Sequence, residues 1–185
     1  MAVTVGIGAG VYGTLTRLAG GTSYTFARAA AGTLMKVPPA LPMRPDNAAQ
    51  LGKLAICWIG TNDLIPGATD AATIAGYVEA YVRAQTTLNK RCIILMPLFN
   101  MGQSRRATYD QLLALLRQRY GDQVIDTIGI LQPYGNGGTD DNADIAAGLI
   151  PRSLQNADRT HFPDGGTAYS VIAAEIVNRI IAKGY

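Results

Sequence analysis

Cysteine and long apolar runs are scarce in this chain of 185 residues. The two cysteines, Cys57 and Cys92, are too few for a disulfide framework, and each lies within an apolar run, so we expect buried free thiols. No apolar run approaches the roughly 20 residues that cross a bilayer, and the N-terminus lacks the features of a signal peptide. The sequence therefore predicts neither a membrane segment nor a secretion signal, and it leaves the compartment open.

Acidic residues are absent from the first 45 positions. That stretch carries four basic side chains: Arg17, Arg28, Lys36 and Arg44. They are scattered and show no pattern of interleaved aromatic residues, so we expect no nucleic-acid partner. The first carboxylate is Asp46, after which positive and negative charges are nearly balanced. This change predicts two parts, residues 1–45 and 46–185.

Residues 1–45 are predicted to form a small antiparallel β module, because short segments rich in Val, Thr, Tyr and Phe alternate with glycine clusters. The strands are predicted at 2–7, 11–17, 22–28 and 33–37. The following stretch, PPALPMRPDNAA, contains four prolines. Because proline neither continues a helix nor fits a central strand, this stretch predicts a linker.

The glycines Gly8, Gly10 and Gly13 match the dinucleotide-binding pattern GxGxxG. That pattern requires a helix after the third glycine and an acidic residue ~20 positions further on. Neither follows here, so glycines in β turns explain these positions better than a cofactor site.

From residue 54 onward, buried strands alternate with amphipathic helices. Apolar runs predict strands at 54–59, 91–97 and 124–130, and helical periodicity predicts helices at 70–89, 109–120 and 166–183. This alternation is typical of a parallel sheet with helices on its faces. We therefore expect an α/β fold in residues 46–185.

Polar residues follow the first buried strand in the segment IGTND, which contains Gly60, Asn62 and Asp63. Ligands of open α/β sheets bind at the carboxyl ends of the strands. An asparagine there can donate its side-chain NH₂ to a developing oxyanion. The alternative is structural, in which Asn62 and Asp63 form a turn or cap the next helix.

Histidine occurs once, as His161, three residues after Asp158 and just before the last predicted helix. On a turn, this spacing lets the carboxylate accept a hydrogen bond from Nδ1, so that Nε2 can act as a base. A lone histidine is more often structural or solvated, but the nearby aspartate favours the catalytic interpretation. A single histidine without clustered cysteines argues against a zinc site, and we expect no cofactor.

Together, IGTND and DRTHFPDGG resemble the third and fifth blocks of the SGNH (GDSL-like) hydrolase family. The resemblance covers roughly residues 52–185 and implies a flavodoxin-like three-layer parallel sheet, incomplete here because the first strands are absent. It implies a serine ester hydrolase acting on small acyl esters, including acetylated carbohydrates. It further implies His161 as general base, Asp158 as its orienting partner and Asn62 as an oxyanion-hole donor, with Gly60 and Asp63 supporting the loop.

The Gly-Asp-Ser block that supplies the family's nucleophile is missing, and so is the glycine donor of its second block. The chain has four serines: Ser23, Ser104, Ser153 and Ser170. Ser104, in the segment GQS, follows the second strand of the α/β part rather than preceding the first. We predict that Ser104 caps the helix beginning near Arg105 and is not the nucleophile.

Two explanations of the missing nucleophile stay open. The chain is the C-terminal part of a longer hydrolase, with the β module as the tail of an insertion, or it is a pseudoenzyme or carbohydrate-binding module on the same scaffold. We favour the first. In a flavodoxin-like order the missing strand lies beside residues 54–59, which should then form an open sheet edge. A second copy, a missing N-terminal fragment or the β module would complete it.

Overall fold

The computed structural model describes residues 2–5, 11–18, 24–32, 43–45, 53–64, 69–85, 91–100, 102 and 105–185. Contacts divide the chain into two units, Met1–Gln50 and Leu51–Tyr185. The change in charge places the boundary slightly earlier, at residue 46. None of the helices within the described ranges is long and apolar enough to cross a membrane.

The first unit contains a four-stranded antiparallel sheet with the order β3-β2-β1-β4. Its strands are β1 (Ala2–Val5), β2 (Val11–Arg17), β3 (Tyr24–Arg28) and β4 (Met43–Pro45). The predicted strand 33–37 lies outside the described residues. Strand β4 belongs to the proline-rich stretch, so the predicted linker is wrong at that point. Its single proline, Pro45, is tolerated because β4 is an edge strand, where one backbone N–H donor is not needed for pairing.

Gly13 lies within β2 rather than in a turn. A Cβ at this position would lie 2.3 Å from the Ala27 carbonyl oxygen and 2.6 Å from the Phe26 ring. The glycine therefore permits a close approach of two strands, which is a structural role. Gly8 and Gly10 lie outside the described residues.

The second unit is a mixed α/β structure around a three-stranded parallel sheet with the order β5-β6-β7. The strands are β5 (Ala55–Cys57), β6 (Cys92–Leu95) and β7 (Val124–Ile125). The helices are α1 (Ala71–Ala84), α2 (Arg106–Tyr120), α3 (Thr127–Leu131), α4 (Thr139–Ala146) and α5 (Thr167–Lys183). The predicted alternation of strands and helices is confirmed for β5 through β7.

The third predicted strand, 124–130, is wrong beyond Ile125. Asp126 ends the strand because its carboxylate accepts hydrogen bonds from the Gly129 N–H at 3.1 Å and from the Tyr109 hydroxyl at 2.7 Å. The first of these bonds caps α3. The apolar residues after Asp126 therefore pack as a short helix.

The core of this unit surrounds β6, whose four side chains are all buried. Successive side chains of a strand point to opposite faces, so both faces of the sheet are covered at β6. Cys57 and Cys92 are free and buried, as predicted. Burial raises the pKa of Cys57 to about 12 and that of Cys92 to about 11, so both thiols stay protonated at neutral pH.

Strand β5 lies at the edge of the sheet and, among the described strands, pairs only with β6. Ile56 is directly opposite Ile93 and therefore points to the same face. Ile93 is completely buried, whereas Ile56 is 49% exposed. The face that is covered at β6 is thus open at β5.

Candidate active site

Asp158 and His161 form a hydrogen-bonded pair in the loop before α5, with 2.6 Å between Oδ2 and Nδ1. The other carboxylate oxygen accepts the backbone N–H groups of His161 and Thr160, each at 2.9 Å. The His161 N–H lowers the pKa of Asp158 most strongly, followed by the imidazole and the Thr160 N–H, and together they bring it to about 2.

The ionisation of Asp158 determines the tautomer of His161. A carboxylate can only accept hydrogen bonds, so the proton of a neutral imidazole must lie on Nδ1. Nε2 then carries a lone pair. The His161 side chain is 70% exposed, and no described residue forms a hydrogen bond with Nε2. This nitrogen is therefore available as a base.

The loop around this pair is closed by its own backbone. The Asn156 N–H donates to the His161 carbonyl at 2.8 Å, and the Arg159 N–H donates to the Asn156 carbonyl at 2.9 Å. Arg159 adopts a left-handed conformation with a φ of 59°, which is unusual for a residue other than glycine. Its guanidinium donates to the buried Asp144 carboxylate at 2.9 Å. This ion pair anchors the loop between Asp158 and His161.

Asn62 begins a short 3₁₀ turn, Asn62–Leu64, after β5. The N–H groups of Asp63 and Leu64 donate to the Gly60 carbonyl at 3.1 and 3.0 Å. Gly60 has a φ of 104°, and a Cβ there would lie 2.9 Å from Ile74 in α1. Only glycine fits this position without strain. The Asn62 side chain is exposed, and no described residue holds its amide.

Arg105 braces this turn from the start of α2. Its Nε donates to the Leu64 carbonyl at 3.0 Å, and its terminal nitrogen donates to the Thr69 carbonyl at 3.1 Å. Arg105 itself occupies the N-cap position of α2, and its own side chain makes no cap hydrogen bond. Ser104, which we predicted as the cap, lies outside the described residues, so its role stays a prediction.

The turn at Asn62 and the loop that holds Asp158 both border the segment after β6, residues 97–100. Asn100 donates from Nδ2 to the Asp158 carbonyl at 3.0 Å, and its Oδ1 accepts the Gly102 N–H at 2.8 Å. At the other end of the segment, a Cβ on Gly60 would lie 3.3 Å from Pro97. The predicted site residues thus form two groups that border residues 97–100, and no described hydrogen bond joins Asn62 to His161.

None of the described serines is hydrogen-bonded to His161. Ser153 instead donates to the buried Asp141 at 2.5 Å, and Ser170 lies in the first turn of α5. Ser23 and Ser104 lie outside the described residues. Within the described ranges, no group of three His, Cys, Asp or Glu side chains could hold a metal ion. No described serine is therefore bonded to His161 as the nucleophile implied by the resemblance would be.

Sequence reasoning missed Asn100, Arg105 and the pairing of Arg159 with Asp144. For Asn100 a signal was present, because it follows the buried strand β6 just as Asn62 follows β5. The other two contacts join residues 15 to 41 positions apart and leave no local pattern.

No protein-family model, curated protein or solved structure matches this chain. The resemblance to the SGNH hydrolases therefore rests on two short segments and on the local geometry described above.

Proposed function

We propose that this chain supplies the base and the oxyanion donor of an SGNH-type serine ester hydrolase whose nucleophile lies outside the chain. The observation that carries the proposal is the Asp158–His161 pair. Its ionised carboxylate accepts a hydrogen bond from Nδ1, and Nε2 has no hydrogen-bond partner among the described residues. The same pairing orients the base in other serine hydrolases.

In the proposed reaction, His161 Nε2 takes the proton of the serine hydroxyl as its oxygen attacks the acyl carbon. Asp158 stabilises the resulting imidazolium, and Asn62 donates its NH₂ to the oxyanion. The imidazolium then protonates the departing alcohol, leaving an acyl-serine. In the second half, Nε2 takes a proton from water, the hydroxide attacks the acyl-serine, and the acid leaves as the serine is reprotonated.

We propose that a missing N-terminal segment brings the serine. Strand β5 has one edge without a partner among the described strands, and Ile56 on that strand is 49% exposed. A parallel strand added at this edge would extend the sheet toward a flavodoxin-like order. Its carboxyl end would lie beside Gly60 and Asn62, which is where a nucleophile is required.

The first test is the coding DNA upstream of Met1, where we expect an in-frame strand followed by Gly-Asp-Ser. The protein from the longer reading frame should hydrolyse p-nitrophenyl acetate, with losses of at least about 10²-fold in kcat for His161→Ala and for Asn62→Ala. The 185-residue chain alone should show no turnover above its own His161→Ala variant.

Two results would contradict the proposal. One is robust hydrolysis by the 185-residue chain that depends on His161 and disappears in Ser104→Ala. The other is a longer protein that folds, contains the serine and has no esterase activity on acetyl esters of phenols or sugars, which would favour a pseudoenzyme or carbohydrate-binding module.

A further inference from the structure

One face of the antiparallel sheet in the first unit carries aromatic and basic side chains together. Residues directly opposite each other in an antiparallel pair share a face of the sheet. The register of β2 with β3 places Arg17 opposite Tyr24 and Gly13 opposite Arg28. Phe26 stands between Tyr24 and Arg28 at the alternate position of β3, so it lies on the same face. We call the set Arg17, Tyr24, Phe26 and Arg28 the β2–β3 face.

The two aromatic side chains of the β2–β3 face are accessible. Tyr24 is 58% exposed, and Phe26 is half-buried. A Cβ on Gly13 would lie 2.6 Å from the Phe26 ring, so this ring lies across β2 at a position without a side chain. Tyr24 and Phe26 are two positions apart on one strand, which separates their Cα atoms by about 7 Å. The sheet thus presents two aromatic side chains next to each other.

The charge around these rings is positive. Residues 1–45 contain four basic side chains and no Asp or Glu. Two of the four, Arg17 and Arg28, are exposed on the β2–β3 face. Arg28 follows Phe26 along β3, and Arg17 lies beside Tyr24 at the other end. A polyanion is therefore the ligand whose charge complements this face.

The sequence expectation of no nucleic-acid partner rested on the scatter of the basic residues and on the lack of interleaved aromatic residues. Both features describe the order of residues along the chain. The pairing of β2 with β3 brings two arginines and two aromatic side chains to one face, although they are up to 11 positions apart in sequence. Aromatic side chains on the face of a four-stranded sheet are a known platform for stacked bases.

The residue types of the β2–β3 face favour one class of polyanion. None of the described residues of β2 and β3 is Asn, Gln, Asp or Glu, the side chains that usually accept from sugar hydroxyls. A phosphate group only accepts, and a guanidinium only donates. Unpaired bases present open faces that stack on aromatic rings, whereas a double helix hides those faces in its own stack. A single strand therefore matches both the arginines and the rings.

We propose that the β2–β3 face binds single-stranded nucleic acid, with bases stacked on Tyr24 and Phe26 and phosphates bound by Arg17 and Arg28. This binding is independent of the proposed esterase, because neither His161 nor a serine takes part in it. Stacking accepts any base, so we expect little sequence preference. Binding should weaken as salt is added, because the arginines displace counterions from the strand.

The first test is a titration of a fluorescein-labelled oligothymidylate of about 15 nucleotides with the 185-residue chain, followed by anisotropy. Tyr24→Thr removes one ring but keeps the charge and the strand propensity, so it should raise the Kd at least about fivefold. Tyr12→Thr is the matched control. Tyr12 is 50% exposed, and it lies on the opposite face of β2 because it is five positions from Arg17. Its replacement should leave the Kd unchanged.

The second test is the salt dependence of the same titration, which does not require the Tyr24 variant to fold. For single strands, log K falls against log salt with a slope of about −0.7 for each phosphate neutralised. Arg17→Gln should therefore make the slope shallower by about 0.7. Arg117→Gln removes one positive charge from an exposed position of α2 in the second unit, and it should leave the slope unchanged.

Several results would overturn the inference and leave the proposed esterase untouched. One is no binding of the oligothymidylate up to about 1 mM chain, well above the Kd of non-specific complexes. Another is an equal Kd for Tyr24→Thr and the parent chain, or equal affinity for a duplex of the same length. Tyr24-dependent binding of polygalacturonate or of phosphatidylserine vesicles, with the oligothymidylate unbound, would instead identify an acidic polysaccharide or a membrane surface.

Discussion

Asn100 donates a hydrogen bond from Nδ2 to the main-chain carbonyl of Asp158 at 3.0 Å, across 58 positions of sequence. It connects the end of the central strand β6 to the loop that carries His161. The acceptor is a backbone atom, so Asn100 positions the loop and leaves the Asp158 carboxylate free for His161.

Replacing Asn100 by aspartate removes this donor and places a carboxylate oxygen against a carbonyl. We expect the backbone amides of Thr160 and His161 to exchange with solvent about tenfold faster, because one hydrogen bond that holds the loop is lost. Asn142→Asp is the matched control, since Asn142 donates to the Gly137 carbonyl at 2.9 Å in a different loop. Unchanged exchange in Asn100→Asp, measured by NMR, would show that Asn100 does not hold the loop.

The Asp158 carboxyl should titrate at a pH of about 2 rather than at the usual 3.8. Because its pKa is lowered in the folded chain, its contribution to loop stability is complete above about pH 4 and is lost as the pH falls through about 2. The measurement is the ¹³C shift of the Asp158 carboxyl group. In His161→Ala the backbone donors remain, so the pKa should rise but stay below 3.8. A midpoint of 3.8 in the parent chain would contradict the geometry.

Gly60→Ala should destabilise the second unit by about 1–3 kcal/mol, because the new Cβ meets Ile74 and the left-handed backbone is strained. Gly76→Ala is the control, since Gly76 lies in α1 with nothing within 4 Å of the added carbon. It should stabilise the chain by about 0.5–1 kcal/mol. Urea unfolding gives both values. Equal effects of the two substitutions would argue that Gly60 is not constrained.

Ile56→Lys tests the open edge of β5. Because Ile56 is half-exposed, the substitution should change the free energy of unfolding by no more than about 0.5 kcal/mol. It should also reduce concentration-dependent self-association, measured by size exclusion with light scattering, since a charge protects a sheet edge. The control is Ile93→Lys at the register-matched, buried position, which should prevent folding. If the parent chain stays monomeric at all concentrations, the prediction that the open edge of β5 mediates self-association is wrong.

Periodicity placed β5, β6, α1, α2 and α5 of the α/β unit, because apolar runs and helical spacing report burial directly, but it missed α4. It failed at Asp126, where one capping carboxylate redirects an apolar run from strand to helix. It also failed at β4, since the pairing of Met43–Pro45 with β1 is a long-range contact. The Asp158–His161 contact was predictable because its spacing is local. The bonds from Arg105 to Leu64 and Thr69 were not, because they depend on how α2 packs against α1.

Because Cys57 and Cys92 are buried and protonated, the rate at which they are labelled measures how often the sheet opens. A thiol whose pKa lies at about 11 or 12 reacts very slowly with maleimide at neutral pH, and both side chains are covered by the core. The thiols of the native chain are therefore labelled only while the sheet is open. The labelling rate gives the frequency of that opening without any engineered probe, and a cysteine introduced on the surface would react long before either of the native pair.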